Sequence, residues 1–452
     1  MAHRRCSNEI GGSNLSVSKD PNHRFLSGRA ASARIAALLL LALAIPAISC
    51  HTTTGGVPSL VLPSDGTPQA GTAANPEQTG PTLTPSITPI PGPQDIANTR
   101  MLWEWEETAP PSALAAAGDR LAVIVADGRF QWLDAASAQP LGGDFLWPDG
   151  IRGESWGQVY ADNEIAVLAA VETWVSGDTG FPETRSQVIV FDSAGQVLWR
   201  LPELSTQHLY SAALAADRVF AGTHHGGGSN VLGAYDRLTG APLWETGGDS
   251  TGFEVIVHDG ARVYALLNEG SEGGGVAAYD AQSGGLLWTQ SDPAVRLSDD
   301  LLIAGNRLFV LTQPAAVALD PADGRILWST QVALAPEAGM AAQADRLYIV
   351  PAPTVELDYR PGVIGVNAGD GALAWHALLG SVADPVAASG MALWAIVKDY
   401  EAGRVELAGL DAVSGLEYAR LPVSEHPERI YHLVASGRTV YVLGDSLLAF
   451  GY

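Results

Sequence analysis

One eleven-residue pattern recurs along most of the chain and constrains the fold more than any other feature. It reads Ala234-Tyr235-Asp236-Arg237-Leu238-Thr239-Gly240-Ala241-Pro242-Leu243-Trp244, and it returns around Asp280, Gly284 and Trp288 and again around Asp320, Gly324 and Trp328. Weaker copies surround Asn367, with Gly371 and Trp375, and Asp192, with Trp199 after a turn shortened by one residue. Asp134 and Asp411 keep the turn but carry Gly142 and Ala419 where the tryptophan belongs. The seven anchors at 134, 192, 236, 280, 320, 367 and 411 lie 58, 44, 44, 40, 47 and 44 residues apart. A period near 40 to 45 residues is that of β-propeller blades.

Each position of the pattern has a physical task. Asp accepts hydrogen bonds from the amides of a tight turn, Gly supplies the positive φ that a side chain resists, and Trp offers a broad surface to the next blade. Before most anchors comes an alternating segment, as in Asp217-Arg-Val-Phe220, Ala261-Arg-Val-Tyr264, Asn306-Arg-Leu-Phe309 and Asp345-Arg-Leu-Tyr348. Alternation of this kind suits a strand in a sheet stacked between neighbouring sheets. Each blade therefore reads as four strands, A to D, with the Arg-Val-Tyr element in B, the Asp closing C and the Trp on D.

Seven anchors give seven blades, and the chain continues through Arg438-Thr-Val-Tyr441 and residues 446–451, which read as strands B and C of an eighth. Its strand D is found at the other end, where Leu102-Trp103-Glu104 matches Leu243-Trp244-Glu245. Asp119-Arg120-Leu121 supplies strand B of blade one. The expected fold is all-β: an eight-bladed propeller of four-stranded antiparallel blades over residues 100–452, closed by an N-terminal strand that removes the open edges. Seven blades is the alternative if the weak first repeat is misread. The 50 Gly and 28 Pro fit so many turns.

Charge narrows the partners. The first fifty residues hold six basic and two acidic residues, leaving 19 basic and 47 acidic beyond them. A surface this acidic repels phosphate backbones, so nucleic acid is excluded, and any membrane attachment must come from something other than charge. Arg24, Arg29 and Arg34 precede an apolar run at 35–48 that has the length of a signal-peptide core. The run ends in Ala47-Ile48-Ser49-Cys50, which resembles a bacterial lipobox. Residues 1–49 are thus read as a signal peptide and Cys50 as the lipidated new N-terminus. An ordinary signal peptide with an incidental Cys50 is the alternative. Residues 50–99 are rich in Thr and Pro without apolar periodicity, the composition of a disordered tether. Cys6 and Cys50 are the only cysteines, so the folded body has no disulfide or Cys-based metal site.

The pattern at 234–244 resembles the tryptophan-docking repeat of the pyrroloquinoline-quinone (PQQ)-like propeller superfamily, and the resemblance covers residues 100–452. It implies one of two roles. One branch holds quinoprotein dehydrogenases, which bind PQQ and calcium and often carry a vicinal disulfide. The other holds cofactor-free scaffolds, and this chain is similar in build to the propeller lipoproteins of outer-membrane β-barrel assembly. The aspartates here recur in turn after turn, which marks them as structural, and no Cys pair exists. The reading is a noncatalytic, lipid-anchored envelope scaffold that binds a protein or peptide, without catalytic, cofactor or metal residues. A PQQ- and calcium-dependent oxidoreductase is the alternative, and glycan recognition a third option.

Four connections are longer than the repeat needs, at residues 143–155, 175–186, 351–362 and 398–403, and propeller topology puts all four on one face. They carry Phe145, Trp147, Phe181, Tyr359 and Tyr400, with Trp156 and Trp174 nearby, and exposed aromatics commonly anchor recognition surfaces. The competing reading packs these rings beneath their own loops. His224-His225 before Gly226-Gly-Gly228 reads as a hairpin, since adjacent strand residues face opposite ways and no further ligand is near. Gly273-Gly-Gly275 reads likewise, and Asp299-Asp300 is a weak calcium candidate.

Overall fold

In the computed structural model the alternating segments form the expected antiparallel sheets. The structure describes residues 93–452, apart from 178–179, 181, 206–208, 225–228, 250–251, 269–273, 296–297, 313–314, 333–338, 344, 352–360, 381 and 428–430. The signal-peptide and Cys50 assignments, Phe181, His225 and Tyr359 lie outside the described residues.

Eight sheets are present. Blade 1 consists of Pro111–Ala117, Arg120–Val125, Arg129–Asp134 and Pro140–Phe145, taken as strands A to D. Blades 3 to 7 repeat this plan, for example Leu209–Leu214, Arg218–His224, Ser229–Asp236 and Pro242–Asp249 in blade 3. Each A strand touches the next around the whole circle, so the A strands line the axis and the D strands form the outer wall. Blade 8 joins His432–Ser436, Thr439–Leu443 and Leu447–Gly451 to Arg100–Trp105, with Trp103 opposite Ala449. The ring closes as the sequence reading expects, and with eight blades.

Alternation buries both faces of each sheet, because every blade is flanked by two others. The apolar core is accordingly divided into eight layers, one per blade interface, such as Phe130, Trp132, Leu168 and Phe191 between blades 1 and 2. The packed body also begins earlier than residue 100. A short helix, Pro93–Ala97, lies against blade 7 and places Ile96, wholly buried, beside Trp394 and near Ala419. Proline-rich composition hid this one apolar contact.

Backbone hydrogen bonds define two faces. A–B turns bond to C–D turns, as Ala135 N to Asp119 O at 2.8 Å, and form the turn face. B–C hairpins bond to D–A connections, as Ala126 N to Pro110 O at 2.9 Å, and form the loop face. The helix belongs to the turn face, where Arg438 Nη2 donates to Asp95 Oδ1 at 3.1 Å. The longest strands are in blade 2, where Ile165–Val175 pairs with Pro182–Asp192 along its full length. Eleven residues span about 36 Å, so this hairpin outreaches its neighbours on the loop face.

Candidate functional site

The repeated residues are structural, and their geometry shows why the pattern recurs. Asp236 Oδ1 accepts from the amides of Leu238 (3.1 Å) and Thr239 (2.8 Å) and from the Thr239 hydroxyl (2.8 Å). Asp280 does the same with Gln282 and Ser283. The donated hydroxyls hold Asp236 and Asp280 below the usual carboxylate range. Gly284 has φ +71°, and a Cβ there would sit 2.5 Å from Trp244 of the preceding blade. The indole N–H of Trp244 donates to Ala281 O at 3.0 Å, and Trp288 and Trp328 repeat the bond to Pro321 O and Ala368 O. Trp103 makes it to Ala135 O at 3.1 Å and joins blade 8 to blade 1. Gly240 and Gly324 hold the equivalent places beneath Trp199 and Trp288, with Asp320 heading the blade 5 turn.

Where the pattern lapses, another group stands in. Blade 1 has Gly142 instead of Trp, and Trp132 of strand C donates to Asp192 O at 2.8 Å. Trp375 has a buried indole nitrogen with no hydrogen-bond partner among the described residues, and the Tyr348 hydroxyl takes the carbonyl of Ala412 at 3.1 Å. Beside Ala419, Ile96 fills the space and Tyr452 packs on Trp394 with ring centroids 5.5 Å apart.

On the loop face the long blade 2 hairpin carries a buried ion pair that the sequence reading did not identify. Glu172 and Arg185 are cross-strand neighbours, almost wholly buried, with Arg185 Nε donating to Glu172 Oε2 at 2.6 Å. Arg185 Nη1 also donates to both oxygens of Asp149, at 2.8 and 2.9 Å, and Nη2 to Gly150 O at 2.8 Å. The guanidinium holds the Asp149 carboxyl below its ordinary range. Glu172 Oε1 accepts from the amides of Arg152 and Gly153. One pair therefore fixes the whole connection between blades 1 and 2.

That connection corrects the reading of Trp147 as an exposed anchor. Its ring is 2% exposed, lies 4.2 Å beneath the Arg185 guanidinium, and its N–H donates to Ser155 Oγ at 3.0 Å. Burying an arginine requires a partner for each donor and for its flat face, and Trp147 covers the face. Trp156 is half-buried with its N–H toward Thr173 Oγ1, and Trp174 lies under Arg152. Phe145 and Tyr400 are solvent-facing, at 54% and 60% exposure. Phe145 belongs with the blade 1–2 connection, whereas Tyr400 is on the blade 7 hairpin. Residues 143–145 and 154–155 prove to be strand, and only the stretch between them is loop.

Around the axis a cavity of about 470 Å³ is lined by Leu114, Val159, Tyr160, Asp162, Leu214 and His258 among other A-strand residues. Burial pushes the Tyr160 phenol up to about 12. Calcium takes six to eight oxygen ligands. Among the described residues that line it the carboxylate is Asp162, which already accepts from Arg237 Nη2 (2.6 Å) and from the amides of Glu164 and Ile165, and Asp300 acts on Tyr160 only as a nearby charge. His258 Nε2 is bound to Leu214 O at 2.8 Å. The described lining does not offer the oxygen set that a quinone with its calcium ion needs. Among the described residues no three His, Cys, Asp or Glu are gathered for a metal, Asp300 included.

The chain matches the family model described as outer membrane protein assembly factor BamB, over residues 184–336 and 272–451. It belongs to that family of PQQ-like repeat propellers. No curated protein matches the sequence. Among solved structures, BamB from Moraxella catarrhalis is 15% identical with a TM-score of 0.55, covering 78% of this chain and 98% of that one. The computationally designed Ika8 protein gives 16%, 0.58, 78% and 99%. Quinohemoprotein alcohol dehydrogenase ADHIIG from Pseudomonas putida HK5 gives 10%, 0.56, 79% and 77%. At these identities the structures establish the propeller fold alone, and the fold hosts enzymes and nonenzymes alike.

Proposed function

We propose that the protein is a noncatalytic scaffold of the bacterial envelope, without a resident cofactor, that binds a protein or peptide through its loop face. The observation that carries this reading is the separation of the two faces. The N-terminal segment joins at Pro93–Ala97 on the turn face, whereas the grown connections of blades 1, 2 and 7 stand on the opposite one. In a chain exported and acylated at Cys50 the tether would leave the body on the turn face, away from the loop face offered to partners. Membership of a family described by an outer-membrane assembly factor supports the same placement.

Two measurements test it. Calorimetric titration of the purified protein with PQQ and calcium, followed by dye-linked alcohol oxidation, should show neither saturable binding nor turnover. Stoichiometric binding with oxidation overturns the scaffold reading in favour of an oxidoreductase. Intact mass of membrane-extracted protein should show an acylated chain starting at Cys50, and an unmodified product starting elsewhere removes the anchor.

A further inference from the structure

Phe145, Ile151 and Val175 are the exposed apolar residues of the blade 1–2 corner, at 54%, 43% and 70% exposure. They sit on a rigid ledge. Arg200 donates to the carbonyls of Phe145 (3.2 Å) and Leu146, and Leu146 N donates to Gly128 O at 2.7 Å. Ile151 lies over the same Gly128, and the Arg185 cluster fixes the loop that follows Trp147. A surface already ordered in the free protein loses little conformational entropy on binding.

Beside Phe145 a groove of about 240 Å³ runs along the two outer strands of blade 1, lined by Gly142 and Gly143 where every other blade but the seventh carries Trp and a side chain after it. Gln131 lines this groove, and its side-chain oxygen is buried without a hydrogen-bond partner among the described residues. The charge of the corner is negative on balance: Asp144, Asp149 and Glu203 are exposed and Glu183 half-buried, with Glu107 and Asp127 paired to Arg129 of the groove lining, against Arg152, which is exposed, Arg200 beside Phe145, and Arg185, which is buried.

We propose that this corner docks a protein segment that presents an apolar side chain flanked by Lys or Arg. The apolar residue covers Phe145 and Ile151, and the basic neighbour meets Asp144. This assignment rests on the loop face being the partner face, and it names the chemistry of that partner. Complementary charge of this kind sets specificity and salt dependence.

The test is selection of a randomised 12-residue peptide library on the immobilised full chain. Selected peptides should carry Lys or Arg beside an apolar residue. They should lose at least about tenfold in affinity with F145S and with D144K, and bind less tightly in high salt. Both variants alter exposed residues, and their melting temperatures should match the parent's. Acidic or uncharged selected motifs, or peptides indifferent to these variants, overturn the proposal. A parallel Y400A variant separates the two levels of failure. Peptides lost with Y400A but kept with F145S and D144K leave the loop face as the partner face and reject this corner, whereas peptides that no loop-face variant affects reject both.

Discussion

Asp236 holds a turn through one oxygen, and that makes the fold sensitive to acid. Hydroxyl and amide donors lower the folded-state pKa values of Asp134, Asp236 and Asp280, with the hydroxyls of Ser137, Thr239 and Ser283 contributing most. A lowered carboxyl pKa gives stability that is present above the unfolded value, near 4, and lost as pH falls through the folded value. Denaturation midpoints should hold steady from about pH 7 to 5 and drop below about pH 4. D236N, which keeps an acceptor oxygen, should narrow the gap between midpoints at low and neutral pH, and an unchanged gap contradicts the assignment. Arg185 makes a sharper case. R185M leaves Glu172 buried without its charge partner and should cost about 3–5 kcal/mol in urea unfolding. Trp147 shows why such a site escapes sequence reading: an aromatic in a grown loop looks the same whether it faces solvent or an arginine 38 residues later. Nothing local marks Glu172 and Arg185 as partners either, since their register depends on the hairpin length.

At the scale of the element, the docking tryptophan links each blade to the next turn through one N–H and one ring face. W244F should lose the bond to Ala281 and cost about 1 kcal/mol, and W244A about 3–5 kcal/mol through the cavity it leaves. W375F should cost less than W244F, because the Trp375 N–H has no partner among the described residues to lose. Equal losses in urea titrations would contradict the role given to Tyr348. Blade count, strand order and the function of Asp, Gly and Trp were legible in the sequence because one small set of contacts recurs, the indole bond itself five times among the described residues. The substitutes were not. Trp132, Tyr348 and Ile96 replace a missing contact from positions outside the repeat, and only the packed interfaces reveal them.

For the whole molecule, closure joins the two ends of the described body within blade 8. Deleting residues 100–107 removes its fourth strand and the Trp103 bond to blade 1, so the ring should open. A lowered melting temperature and a larger radius of gyration by X-ray scattering are expected, and an unchanged radius contradicts the closure. The functional claim concerns the faces of this ring. A photo-crosslinking residue placed at Phe145 or Tyr400 on the loop face, and at Leu238 or Val413 on the turn face, can be irradiated in intact cells. Adducts to a protein partner should form from the loop-face positions and not from the turn-face ones. Adducts confined to Leu238 and Val413 would contradict the account.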